Sequence, residues 1–521
     1  MKPNISLSEY IGVNRALTPG IRVLNNFLSA LYGYNKQVNI SLFENFKLIQ
    51  TGNPNNVKYD ATMIEDLELI NKSYKEWIKA YSIGSYYGKP LDKTACFFPI
   101  NERLIFDDGN YDRLRQLPYK LLWFSQDSNK DSNKNIYIED LVNQIRKFLF
   151  NNDNHNDIHQ FVHSALEDVV KDDTKNRTYM QLDNVRRSEG NYYTEVAKKF
   201  TEDISKMIYS DIFSSLDVYS KINYLTLLLN FYILQYLINR INYGKKQKTY
   251  MLFKGSSDFD NELFHSSCLE NFNDIRQQMK ELCKNYFREQ IKTNILNNDN
   301  EKCFFVKQND DIYVEKDQKS IQLDEFFKDI DIGASISDES GKNIVKENRE
   351  KLKNIINDSL LGDKNNCRIT LDNLVSVIMK LNAKASSSVS YAIQIFSTQG
   401  REAKCVYPQS QVRQKYFVMS REITDLFVRL YFAHNNKIVY DTVENFTRWL
   451  KDNYLICIGF SKEINQYIDG KPHIKQIRAS IYRDNYKTFI STLDSLQCII
   501  KLSDTSHIIT LPGNKGVVKS L

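Results

Sequence analysis

Residues 494–512 read DSLQCIIKLSDTSHIITLP, and this stretch decides how the last quarter of the chain folds. Two short apolar runs, 498–502 and 507–511, lie on either side of the polar tetrad 503–506. Runs rich in β-branched residues around a polar turn predict a β-hairpin. The hairpin follows a helical segment and carries Lys501, so it is typical either of a wing beside a recognition helix or of the edge of a small α+β domain.

The segments before this hairpin predict three helices. The first covers 420–432 with Ser420 as N-cap, the second begins at Asp441, and the third covers 483–496, with an extended segment at 454–458. Three helices with a hairpin after the last have the order of a winged helix, in which the last helix enters the major groove of DNA. The insertion at 459–480 is long for that fold. The alternative is a winged-helix-like domain that contacts protein.

Positive charge is concentrated in the same part of the chain. Residues 401–521 contain 18 Lys and Arg against 11 Asp and Glu, a net charge of +7, so the remaining 400 residues carry −1 of the overall +6. Such segregation indicates a surface that faces nucleic acid, although a basic protein-binding surface has the same signature. The residues that we expect to contact DNA are Lys475, Arg478, Arg483, Lys487 and Lys501, with Lys462 and Lys471 as further phosphate contacts.

The chain as a whole is predicted to be mainly α and multi-domain. Its 521 residues are too many for one ordinary core, and the 289 residues from 119 to 407 contain no proline, which favours a helical middle. Strand patterns are local: 250–253, and a hairpin of 303–307 with 311–315. We expect five segments: an N-terminal mixed α domain (1–135), a helical domain (136–300), a β-hairpin with an acidic connector (301–345), a helical segment (346–400) and a basic winged-helix-like α+β domain (401–521).

The sequence predicts a cytoplasmic protein without a membrane partner. The most apolar segment, 222–241, contains four amides and an arginine, which are costly inside a bilayer, so a helix buried among other helices explains it better. The first 20 residues lack the apolar run of a signal peptide. The eight cysteines are scattered without a C-x-x-C pair, which favours free buried thiols over a zinc ribbon or disulfides.

No catalytic signature is present, and we expect a non-enzymatic protein without a cofactor. His155, His159 and His163 are spaced i, i+4, i+8 and are the best metal candidates, but no Glu occupies the H-E-x-x-H register, so a polar helix face is favoured. The segment 333–343 has seven residues between its glycines where a phosphate-binding loop has four. Acidic residues also cluster at 65–68 and 107–108. Neither cluster lies on a predicted β-strand with a following lysine, as the carboxylates of a nuclease site would. The alternative function, from another class of protein, is a metal-dependent enzyme or a nuclease.

Four segments in the last 150 residues carry a resemblance to a family. They are LDNLVSVIM (371–379), SSSVSYAI (386–393), FVMSREITDLF (417–427) and TVENFTRWL (442–450). Their order resembles the C-terminal part of accessory proteins from bacterial anti-phage islands, such as those of DNA phosphorothioation-dependent restriction (DptG-like) or methylation-associated defence. The resemblance implies a subunit without a motor or nuclease motif that works beside an ATPase. It transfers no functional residue to this chain.

Overall fold

The computed structural model describes residues 20–32, 82–83, 96–97, 117–124, 134–150, 192–298, 305–308, 311–315, 368–370, 396–409, 414–435, 438–459, 461–471, 476–502 and 507–512, with isolated positions at 347, 354, 372, 375–376, 394 and 474. Within these ranges the chain is mainly helical with small sheets, as the sequence predicts. The helices are α1 (Gly20–Tyr32), α2 (Leu117–Phe124), α3 (Lys134–Phe150), α4 (Tyr192–Tyr209), α5 (Asp211–Ser214), α6 (Val218–Asn242), α7 (Glu262–Asn298), α8 (Arg421–His434), α9 (Val443–Tyr454), α10 (Lys462–Asp469) and α11 (Ala479–Ser495).

The strands are short and form small sheets. Four sheets are described, in the strand orders β1-β2, β4-β5-β6, β10-β3-β8-β7 and β11-β12-β9. Their strands are β1 (Ser82–Ile83), β2 (Cys96–Phe97), β3 (Met251–Lys254), β4 (Phe305–Gln308), β5 (Asp311–Glu315), β6 (Arg368–Thr370), β7 (Val406–Tyr407), β8 (Tyr416–Val418), β9 (Tyr440–Thr442), β10 (Ile456–Cys457), β11 (Ile499–Lys501) and β12 (His507–Thr510).

Contacts divide the chain into two compact units. One comprises Met1–Ala16 and Ile275–Phe396, and the other comprises Leu17–Asp274 and Ser397–Leu521. The first unit contains the predicted hairpin of 303–307 with 311–315, which is confirmed as the antiparallel pair β4–β5, with β6 added on the other side of β5. The domain boundaries at 135, 300, 345 and 400 stay a prediction.

Helix α6 forms the centre of the second unit. Its buried residues occur on every side of the helix, so it is surrounded by protein rather than amphipathic. The ring of Phe231 lies 5.0 Å from the ring of Phe427 in α8 and 5.5 Å from that of Tyr454 in α9. The prediction of a buried helix over 222–241 is therefore confirmed. Among the described helices, none is long and apolar enough to cross a membrane.

Strand β3 links distant parts of the sequence in one sheet. It lies between β10 and β8 and is parallel to both, with Met251 opposite Ile456 and Phe253 opposite Phe417. All four of its residues are buried, which fits the continuous apolar pattern of central parallel strands. The part of the chain after 401 therefore shares its sheet with a strand that lies some 150 residues or more before it.

The three helices and the hairpin predicted for the C-terminal region are present. Ser420 caps α8 through a hydrogen bond from Ile423 N, as predicted. Strands β11 and β12 pair antiparallel from Ile499↔Ile509 to Lys501↔His507, which confirms the hairpin. A third strand, β9, pairs with β12. The order of elements in this region is α8, β9, α9, β10, α10, α11, β11, β12.

Two details of these helices differ from the sequence prediction. The N-cap of α9 is Thr442, whose hydroxyl accepts from Asn445 N, so the prediction of Asp441 as the cap is wrong. Asp441 lies in β9 instead, where its carboxylate accepts hydrogen bonds from the Tyr431 hydroxyl and the Asn445 amide. Helix α11 begins at Ala479, four residues before the predicted start.

Candidate nucleic-acid interface

Helix α11 presents a charged face to solvent and an apolar face to the core. Arg478 at its N-cap, Arg483 and Lys487 are all exposed, whereas Phe489 and Leu493 are completely buried. Arg483 and Lys487 are four residues apart and therefore lie one turn apart on the same side of the helix. At a rise of 1.5 Å per residue, the helix extends over roughly 25 Å. The exposed face is thus long enough to follow a groove of duplex DNA.

The two predicted lysine contacts have acidic neighbours. The ammonium of Lys487 lies 3.5 Å from Asp484 on the same helix, and that of Lys501 on β11 lies 2.9 Å from Asp494 near the helix end. Both lysine side chains remain more than half exposed. Exposed ion pairs contribute little free energy, so each ammonium can exchange its carboxylate for a phosphate.

The two arginines that we expect to contact DNA differ from these lysines in their surroundings. Neither Arg478 nor Arg483 forms an ion pair with any residue of the described ranges, and the Arg478 side chain makes no capping hydrogen bond. Guanidinium groups bind phosphate through two parallel hydrogen bonds. Lys475, the remaining member of the predicted set, lies outside the described residues.

Lys471, predicted as a further phosphate contact, has a structural role. Its ammonium lies 3.2 Å from the buried carboxylate of Asp274, and 5.9 Å from the ring centre of Tyr467, whose hydroxyl donates to the same carboxylate at 2.9 Å. Removing the lysine would take one ion-pair partner away from a buried carboxylate. The phosphate contact of Lys471 stays a prediction, and its ion pair was not predictable locally because Asp274 lies almost 200 positions earlier in the sequence.

Asn485 fixes α11 against the sheet. Its amide oxygen accepts from Gly255 N at 2.8 Å, and its amide nitrogen donates to Phe253 O at 3.0 Å and Ile458 O at 2.6 Å. About two turns later, the Thr492 hydroxyl donates to Gly255 O at 2.9 Å. The charged face of α11 thus points away from a helix face that is bonded to the backbone of β3 and of the segment after β10.

A buried carboxylate ties α8 and α9 to the helical core. Asp203 in α4 is completely buried, and it accepts hydrogen bonds from the hydroxyls of Tyr232 in α6 and Tyr454 in α9. Its other oxygen lies 2.7 Å from His434 Nε2 in α8 and 3.7 Å from the Lys199 ammonium. Burial, followed by the negative charge of Asp203, raises the pKa of both tyrosines, so their hydroxyls stay protonated and donate.

A cavity of about 450 Å³ lies between α9, β10 and the first half of α11. The sequence did not predict it. Four of its lining side chains are charged: Glu444, Arg448 and Lys451 from α9 and Arg483 from α11. Tyr486 forms part of the wall, and burial together with the charge of Glu444 raises its pKa to about 12. Glu444, Arg448 and Lys451 are spaced i, i+4, i+7, and this spacing indicates that they share one face of α9. It does not indicate which side of α11 that face meets.

The metal candidates cannot be placed. His155, His159 and His163 all lie outside the described residues. Within the described ranges, no group of three or more His, Cys, Asp or Glu side chains is arranged to hold a metal ion. Five cysteines are buried and form no disulfide among the described residues, as predicted: Cys268, Cys283, Cys405, Cys457 and Cys498.

A buried lysine lies at the end of β3. Lys254 is only 3% exposed; its ammonium lies 3.3 Å from His265 Nδ1 and 4.8 Å above the ring of Tyr416. No carboxylate of the described residues lies within ion-pair distance of it. Burial lowers its pKa from the ordinary 10.5 because the charged form loses its hydration.

Lys254→Met should raise the free energy of unfolding by about 1 kcal/mol at pH 7, because it replaces a poorly compensated buried charge with an apolar chain of similar length. The unfolded chain binds the lysine proton more tightly than the folded chain does, so this difference should shrink as pH rises towards 10.5. Urea unfolding at pH 7 and pH 10 measures both effects. Lys248→Met, at an exposed position, serves as the control. A loss of stability in Lys254→Met at pH 7 would contradict this account.

Comparison of the chain with protein-family models, curated proteins and solved structures gave no significant match.

Proposed function

We propose that residues 420–511 form a winged-helix-like module that binds duplex DNA through α11 and the β11–β12 hairpin. The support is the order α8, β9, α9, α11, β11, β12, together with the sheet order β11-β12-β9. In this reading α11 is the recognition helix and the hairpin is the wing. Strand β10 and helix α10 are an insertion between the second and third helices.

The observation that carries the proposal is the exposed basic face of α11. Arg483 and Lys487 lie one turn apart on the exposed side of the helix, Arg478 is exposed at its N-cap, and Lys501 on the adjoining strand is also exposed. Cationic side chains along one rigid helix can neutralise several phosphates of the same duplex. The concentration of positive charge after residue 401 would also attract DNA from a distance.

The second candidate function is a structural scaffold that uses the same module to bind a partner protein. It is favoured by a consecutive apolar segment, Ile438, Val439 and Tyr440, whose members are 40–44% exposed. This segment leads into β9, which is an edge strand of its sheet. Exposed edge strands with apolar side chains are frequent sites of protein association.

We propose further that the protein is a non-enzymatic accessory subunit of an anti-phage defence complex, as the resemblance of the four C-terminal segments implies. In such a complex the module would bring DNA to an ATPase partner. Purification of the untagged chain from its host should then recover an ATPase subunit. Recovery of the chain alone, from cells that express the neighbouring genes, would contradict the assignment.

Charge reversal on α11 tests DNA binding. Arg478→Glu combined with Lys487→Glu should weaken binding to a duplex at least tenfold and should reduce the slope of log K against log salt by about 2, roughly one unit for each phosphate contact. Fluorescence anisotropy of a labelled duplex at several salt concentrations measures both quantities. The full chain is required, because β8 and β10 pair with β3, which a fragment beginning at 401 would lack.

A matched control makes the same change of charge in the other compact unit. Lys280→Glu combined with Lys284→Glu alters two partly exposed positions of α7 beyond residue 274, and duplex binding should be unchanged. Equal binding by the α11 variant and the wild-type chain would overturn the DNA proposal. Loss of a partner protein without any duplex binding by the wild-type chain would support the scaffold instead.

A further inference from the structure

The cavity between α9, β10 and α11 has the dimensions of a small-molecule site. Its volume of about 450 Å³ lies within the roughly 300–1,000 Å³ that ligand pockets occupy. Its lining is mixed: Ile456 and Ile458 contribute apolar side chains, Tyr486 contributes an aromatic ring, and the charged groups described above contribute the rest. Apolar and aromatic side chains beside a few charged groups are typical of pockets that bind small ligands.

Two guanidinium groups of the cavity form no ion pair with a carboxylate of the described residues, although Glu444 belongs to the same lining. Lys451 is neutralised by Glu463, whose carboxylate lies 3.0 Å from its ammonium. Arg448 makes a contact of 3.5 Å with the side-chain oxygen of Asn445, which is neutral, and Arg483 forms no ion pair among the described residues. The cavity therefore has two guanidinium groups that are available to the oxygen atoms of an incoming anion.

We propose that this cavity binds a nucleoside phosphate, with the phosphate held by Arg448 and Arg483 and the base placed against Tyr486. Arginine forks match the geometry of phosphate oxygens, and base–aromatic stacking is tolerant of base identity. The ligand has two possible sources, a free mononucleotide or the phosphorylated end of a DNA strand. The second source rests on the proposed DNA-binding function, whereas the first does not.

Isothermal titration of the full chain with AMP, ATP, adenosine and inorganic phosphate tests the site. The nucleotides should bind more tightly than either adenosine or phosphate, because only they reach both the arginines and the ring. Arg448→Ala should weaken nucleotide binding at least tenfold, and Tyr486→Leu should reduce the preference for nucleotide over phosphate. Arg288→Ala removes an exposed arginine of α7 that does not line the cavity, and it should leave nucleotide affinity unchanged.

Two DNA probes separate the sources and keep this test distinct from the test of duplex binding. If strand ends are the ligand, a 5′-phosphorylated oligonucleotide should bind the wild-type chain more tightly than its 5′-hydroxyl counterpart, and Arg448→Ala should abolish the difference. Covalently closed circular duplex, which has no ends, should bind wild type and Arg448→Ala equally.

Nucleotide binding without any duplex binding would support the site while overturning the proposed function. Absence of binding of every phosphate-bearing probe at millimolar concentration, or equal nucleotide affinity of wild type and Arg448→Ala, would overturn the inference.

Discussion

Asp203→Ala should lower the free energy of unfolding of the unit that contains it by about 3–5 kcal/mol, the range expected when one partner of a buried charged network is removed. The carboxylate is completely inaccessible to solvent, and it receives the hydroxyls of Tyr232 and Tyr454 as well as His434 Nε2. Alanine would remove the acceptor of two buried hydroxyls and of the partly buried His434, and it would remove one of the two carboxylates beside the Lys199 ammonium. Each unsatisfied group adds its own desolvation cost.

Urea unfolding, monitored by tryptophan fluorescence, measures this loss of stability near the residues that contact Asp203. The ring of Trp449 lies 5.2 Å from that of Tyr454, so its emission reports on the packing of α9 against the core. Glu202→Gln is a matched control, because Glu202 contacts the same histidine but its side chain is 51% exposed. The control should change stability by no more than about 0.5 kcal/mol. An unfolding midpoint of Asp203→Ala equal to that of the wild-type chain would show that the network does not hold these helices together.

Local features of the C-terminal region were predictable because their signals lie close together in the sequence. The N-cap Ser420, the apolar stripe of the last helix and the two β-branched runs of the hairpin each occupy fewer than 20 residues. Their physical causes, helix capping and the periodicity of side chains, operate at that range. The choice between Asp441 and Thr442 failed because both are good caps, and the pairing of β9 with β12 decided between them.

The sheet around β3 was not predictable by the same means. Pairing of Met251 with Ile456 joins residues more than 200 positions apart, and no local pattern indicates which short apolar runs will become neighbours. The candidate site has the same limitation. The exposed side of α11 followed from its own periodicity, whereas the ion pair of Lys471 and the cavity beside Arg448 depend on elements that are brought together only by the fold.

Gly255→Ala should be nearly as destabilising as loss of the Asp203 carboxylate, for a steric reason. A Cβ at this position would lie 2.4 Å from Asn485 O and 2.5 Å from Phe489 N, which are backbone atoms in the interior of α11. The helix cannot move away without stretching the hydrogen bonds of Asn485 and Thr492 to the Gly255 backbone. We expect a loss of about 3 kcal/mol, the upper part of the usual range for an overpacked core.

Gly470→Ala is the control, since a Cβ there would meet the flexible end of Gln247 at an ordinary 3.4 Å, and its stability should remain within about 0.5 kcal/mol of wild type. Thermal unfolding by circular dichroism compares the two variants. Because the clash displaces α11 from β3, Gly255→Ala should also weaken duplex binding below its unfolding temperature, although no charge has changed. Wild-type stability together with wild-type duplex affinity in Gly255→Ala would mean that α11 does not pack on β3 at this distance, and the placement of its charged face would then have to be revised.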